Sequence, residues 1–206
     1  MLKETFIGLL TNHTNNDRLI HELWTEVETT YSGHERKYHT LQHLEHLLDV
    51  LTELKDQIND WNTILFTLYY HDVIYDASRS DNEEGSADFA EKRMQQLAVP
   101  NVTIKRCKNQ ILATKLHLES SDSDTNYFID ADLSVLGQPW EVYSDYFKNV
   151  RKEYIIYPDT VYKPGRKKVL QHFLAMERIY KTDFFFTKFE RQAKENLQTE
   201  LQWLNE

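Results

Sequence analysis

Four of the nine histidines fall within thirteen residues, at His34, His39, His43 and His46. His39 and His43 stand four apart, so on a helix they share a face and converge on one ion or one substrate atom. His46 follows near the same stripe. A second group, His71-Asp72, closes the very apolar run 61–70. A carboxylate at the end of a buried helix must be satisfied, because burying it unpaired is costly. Metal binding is one solution. Adjacent helix positions point roughly 100° apart, so these two residues can hold one ion only between helices and with further ligands from elsewhere. Asp130-Ala131-Asp132 offers one, and on a helix its two carboxylates diverge by about 200°, so a single one should face the ion. Imidazole and carboxylate together suit Zn²⁺, Mn²⁺, Fe²⁺, Co²⁺ or Ni²⁺, and the lone Cys107 supplies no thiolate pair to select zinc.

Cations that could meet a phosphate lie further along. Lys115 would stabilise developing phosphoryl charge, and an ordinary solvated lysine is the alternative. Arg151, Tyr154, Tyr162 and Arg166 lie where the chain turns basic, and guanidinium groups match phosphate bidentately. Ion pairs with Glu153 and Asp159 are the competing use of these arginines.

The elements that must position these residues are helical. Five glycines and four prolines in 206 residues leave few hairpin turns, while apolar residues recur at helical spacing. Leu19 to Val27, Leu41 to Leu54 and Trp61 to Leu68 form three stripes. Ser80-Asp81-Asn82-Glu83 is a capping-box pattern opening a helix to about residue 98, and Pro100-Asn101 separates it from another over 102–117. Residues 120–126 read as loop, Gly137-Gln138-Pro139 as a break, and 157–165 as the last irregular stretch before helices at 166–180 and 187–205. No repeat, low-complexity tract or linker divides the chain, so one all-α domain over residues 1–206 is expected.

The net charge is −9, made of −12 over residues 1–150 and +3 over 151–206. An acidic chain with a basic final third suits a small phosphorylated ligand and not duplex nucleic acid. No segment approaches the ~20 apolar residues of a membrane span, and the first residues do not read as a signal peptide, so a cytoplasmic protein without membrane contact is expected.

Tyr38-His39-Thr-Leu-Gln-His43, then His71-Asp72, then Asp132 resembles the ordered signature of the HD-domain metal-dependent phosphohydrolase superfamily. Four segments in order are similar to the core of the class I cyclic-nucleotide phosphodiesterases: the Tyr-His-x-x-x-His segment, Tyr70-His71-Asp72-Val73, Leu112-Ala113-Thr114 and Ala131-Asp132-Leu133-Ser134 followed by Pro139. The whole chain, with Arg151-x-Glu153-Tyr154 and Gly165-Arg166, resembles a group described only as HD-superfamily phosphohydrolases.

The resemblance implies a helical bundle of the HD type and a divalent ion (Mn, Mg, Zn, Co, Ni or Fe). It implies hydrolysis of a phosphate ester or anhydride in a small molecule, a nucleotide foremost, by a water activated on that ion. Carried over by position, His43, His71, Asp72 and Asp132 are the ligands, and His39 is the acid that protonates the leaving oxygen. Glu83 or its neighbour Glu84 matches the acidic residue that holds metal-bound water, with the capping box as the other explanation. Tyr38, Arg151, Tyr154 and Arg166 are candidate substrate contacts. Two departures stand out: Lys115 occupies the place of an aspartate, and no glutamine matches the one that holds a purine. A cyclic nucleotide is therefore not implied. An HD-type iron oxygenase, with His46 and His117 as extra ligands, and a non-catalytic helical module with a structural metal are the two rival readings.

Overall fold

A computed structural model describes residues 1–205, and among these every regular element is a helix. In chain order they are α1 (Leu2–Thr11), α2 (Asp17–Tyr31), α3 (Leu41–Thr52), α4 (Trp61–Tyr70), α5 (Asn82–Gln96), α6 (Asn101–Ala113), α7 (Ser123–Asp132), α8 (Trp140–Glu153), α9 (Asp159–Ala175) and α10 (Asp183–Trp203). Short 3₁₀ turns occupy Lys55–Gln57 and Leu133–Gly137. None of the helices is long and apolar enough to cross a membrane.

By contact the chain falls into two compact units, Met1–Ile129 and Asp130–Glu206. The sequence marks no boundary there because the division lies inside the continuous helix α7, where no linker or change of composition is needed.

In the first unit α4 is the centre, with eight of its residues buried from Thr63 to Tyr70. It packs against α5 and α6, and against α1 and α3. Helix α1 buries Leu2, Phe6, Leu9 and Leu10, one face at helical spacing. The Phe6 ring meets Tyr69 edge-on at 4.7 Å between centroids. In the second unit α10 packs on α9 and on the turn Leu133–Gly137. Gly137 permits that approach, since a Cβ there would stand 2.7 Å from the Phe189 carbonyl oxygen.

Several boundaries differ from the sequence expectation for identifiable reasons. Helix α3 begins at Leu41 because Thr40, its N-cap, is extended at φ −116° and ψ 178°, so His39 precedes the helix. The carboxylate of Asp81, the N-cap of α5, is held by Arg79 at 2.9 and 3.0 Å and makes no cap bond, so the capping box does not form. The polar stretch expected as loop opens α7, because Asp122 accepts from the Thr125 amide and hydroxyl. Helix α9 starts at Asp159 and carries Pro164 inside it. Proline's fixed φ is compatible with a helix, but as the sixth residue Pro164 removes the bond to the Thr160 carbonyl and its ring crowds that carbonyl. Helix α10 starts four residues earlier than the apolar pattern suggested, with Thr182 as its N-cap.

Candidate metal centre

His43 lies in the first turn of α3, His71 caps the C-terminus of α4 and Asp72 follows it in the next turn. Asp132 is the last residue of α7. The apolar stripes of α3 and α4 bury these helix ends, leaving the His43 side chain 2 % and the His71 side chain 1 % exposed.

Asp72 Oδ2 is the focus of three imidazoles. It lies 3.2 Å from His71 Nε2, 3.9 Å from His39 Nε2 and 4.0 Å from His43 Nε2. His43 Nε2 and His71 Nε2 are 3.2 Å apart. Asp132 is half-buried at the end of α7.

The tautomer of His71 follows from its surroundings. Its Nδ1 stands 3.0 Å from the Leu68 carbonyl oxygen. A carbonyl only accepts, so Nδ1 carries the hydrogen and Nε2 is the nitrogen that faces the cluster. Metal-ligating histidines use their second nitrogen in this way. His71 Nε2 lies 3.2 Å from the Asp72 carboxylate, a spacing that either a shared proton or a bound cation satisfies. Two imidazoles and carboxylate oxygens therefore fit a divalent ion of the borderline kind.

His39 stands beside this group, although the two histidines do not share one helix as their spacing predicts. Its ring is 5.9 Å from that of His43 and 4.1 Å from that of Tyr75, tilted by 32°. Tyr38 lies 5.0 Å from both His39 and His43. With side chains 18 % and 19 % exposed, His39 and Asp72 form the part of the cluster that meets solvent.

Comparison of the chain with family models, curated proteins and solved structures returned no significant match.

The other carboxylate of the Asp130/Asp132 pair has a separate task. Asp130 is fully buried and accepts from the Lys181 amide at 2.9 Å, the Thr182 amide at 2.7 Å and the Thr182 hydroxyl at 2.8 Å. It thus satisfies the free amides at the start of α10. Burial pushes its carboxyl above the usual range despite those bonds.

Glu83, Glu84 and Lys115 form a group of their own. Lys115 Nζ donates to Glu84 Oε1 at 2.6 Å and to the Ser80 carbonyl at 2.8 Å, and stands 3.7 Å from Glu83. The hydrogen bond to Glu84 raises the Lys115 pKa, so the ammonium stays charged. In the second unit Arg151 pairs with Asp159 at 2.7 Å, and donates to the carbonyls of Tyr154 and Tyr157, closing the end of α8. Its guanidinium lies 4.6 Å from the Tyr162 ring centroid. Arg166 is buried and bonded through two nitrogens to Glu200. His46 and His117 are half-buried, and His117 adopts a left-handed backbone at φ 51° after α6.

Three residues beside the cluster escaped sequence reasoning. Arg36 and Tyr31 hold the main chain around Asp72, and Tyr75 covers one face of His39. Arg36 sits in the charge run Glu35-Arg36-Lys37, which reads as a solvated surface. Only its closeness to Tyr38-His39 set it apart.

Proposed function

We propose that the chain is a metal-dependent phosphohydrolase acting on a phosphate ester or anhydride of a small phosphorylated molecule, a nucleotide foremost. The observation that carries this reading is the convergence of His39, His43 and His71 on Asp72 Oδ2 within 3.2–4.0 Å, with His71 Nε2 aimed inward. His43, His71, Asp72 and Asp132 would hold the ion. When bound, a divalent ion supplies a Lewis acid and a water acidic enough to ionise near neutral pH.

The chain's own residues do the rest. His43 and His71, nearly closed to solvent, keep the inner side dry, where electrostatic interactions are strongest. His39, on the open side, holds a proton on its imidazole and gives it to the departing oxygen. Tyr38 flanks both histidines as a substrate contact. Lys115, held by Glu84 and the Ser80 carbonyl, keeps a third N–H with which it would meet a phosphate.

The test is metal content by mass spectrometry for wild type, Asp72→Ala and His39→Ala, with phosphate release from a nucleotide panel in Mn²⁺, Co²⁺ and Mg²⁺. Near-stoichiometric metal is expected in wild type and lost with activity in Asp72→Ala. His39→Ala should keep its metal and lose turnover by about 10²–10⁴-fold, as expected for a positioned acid. No metal and no phosphate release in wild type would sink the proposal.

A further inference from the structure

Arg36 belongs to the bend after α2, and only 6 % of it is exposed. Its Nη1 donates to the His39 carbonyl at 3.2 Å and to the Asp72 carbonyl at 2.8 Å, while Nη2 donates to the Val73 carbonyl at 3.0 Å. The guanidinium lies 4.8 Å from the Tyr31 ring centroid and 5.6 Å from that of Tyr75. The Tyr31 hydroxyl accepts the Asp72 amide at 3.2 Å, and the Tyr75 ring lies against His39. One cation thus ties the bend carrying His39 to the turn carrying Asp72, and both its aromatic neighbours touch the same two segments.

Taking a guanidinium out of water is costly, and carbonyl dipoles offset only part of that loss. An apolar side chain of similar volume would fill the space with less desolvation. A planar fork does something an apolar residue cannot: it fixes carbonyls from two separate segments at one relative distance. We infer that Arg36 is a positioning residue that sets His39 against Asp72. It acts through their main chains and touches no reacting atom. The effect on turnover rests on the phosphohydrolase reading, whereas the clamp between the two segments does not.

The test uses the full chain as Arg36→Lys and Arg36→Ala, with Arg36→Gln as the substitute if Arg36→Lys does not fold. Hydrogen exchange followed by mass spectrometry reads the clamp without metal or substrate. Faster exchange is expected in residues 38–41 and 71–75 and unchanged exchange in α5 and α6. In the Co²⁺-loaded protein, kcat should fall about 10–100-fold with KM little altered, the range found when a supporting partner of a metal site is removed. The Co²⁺ absorption bands should shift, and millimolar guanidinium ion should restore part of kcat to Arg36→Ala. Unchanged exchange in both segments would overturn the clamp. Altered exchange with wild-type kcat and an unshifted Co²⁺ spectrum would overturn the positioning role. If wild type takes up no Co²⁺ and the exchange pattern is as expected, the clamp stands and the metal reading falls.

Discussion

Replacing Glu200 by Gln asks what holds Arg166. Arg166 Nε donates to Glu200 Oε1 at 2.7 Å and Nη2 donates to Oε2 at 2.8 Å, with the side chains 7 % and 2 % exposed. The Tyr143 hydroxyl donates to the same Oε2. Glutamine keeps the shape and one acceptor oxygen. Its NH₂ group, however, faces donors, and the buried guanidinium loses its counter-charge. Removing one partner of a buried pair costs about 3–5 kcal/mol, whereas replacing both by apolar residues is often neutral. For a chain of this length each kcal/mol lowers Tm by about 2–4 °C, so Glu200→Gln should melt roughly 6–20 °C below wild type. Thermal and urea unfolding followed by circular dichroism measure this directly. Arg166→Met combined with Glu200→Leu should recover most of the loss. A Glu200→Gln protein melting with wild type would refute the argument from burial. A rise in KM for a phosphorylated substrate without loss of stability would instead assign the guanidinium to substrate.

The two aspartates of α7 should separate cleanly. Asp132→Asn should lose bound metal, measured by mass spectrometry, with the metal-free protein as stable as wild type. Asp130→Asn should keep its metal but lose about 1–3 kcal/mol in urea unfolding, because an amide NH₂ there faces the amides of Lys181 and Thr182. Gly137→Ala should destabilise by about 1–3 kcal/mol, since its Cβ meets Phe189 main chain that cannot easily yield. The Cys107 thiol, pushed up to about 12 by burial, should resist iodoacetamide at pH 8 in the native protein and react fully in urea, as read by mass spectrometry.

The sequence by itself determined the helical class and the pieces of the cluster. Stripes at helical spacing in α2, α3 and α4 report a buried face, and that is a local property which survives without knowledge of the partner. The position of His71-Asp72 at the end of the apolar run likewise placed it at the buried end of α4. Boundaries were less legible where polar residues cap instead of looping, as Asp122 does for α7, or where proline enters a helix, as Pro164 does in α9.

Only the tertiary structure decided which side chains meet. Helical spacing placed His39 and His43 on one helix, but the extended backbone at Thr40 puts His39 outside it, and packing of α3 on α4 still brings both to Asp72. Asp130 and Asp132 are chemically alike in sequence, and only the fold commits Asp130 to the start of α10. Arg36 reads as part of a surface charge run and Arg166 as a candidate phosphate contact, because charge in a sequence carries no sign of depth. Each lies buried because partners distant along the chain, the Asp72 and Val73 carbonyls for one and Glu200 for the other, receive its hydrogen bonds. Periodicity is written in neighbours three and four apart, whereas a partner 36 residues away is fixed only when the helices pack.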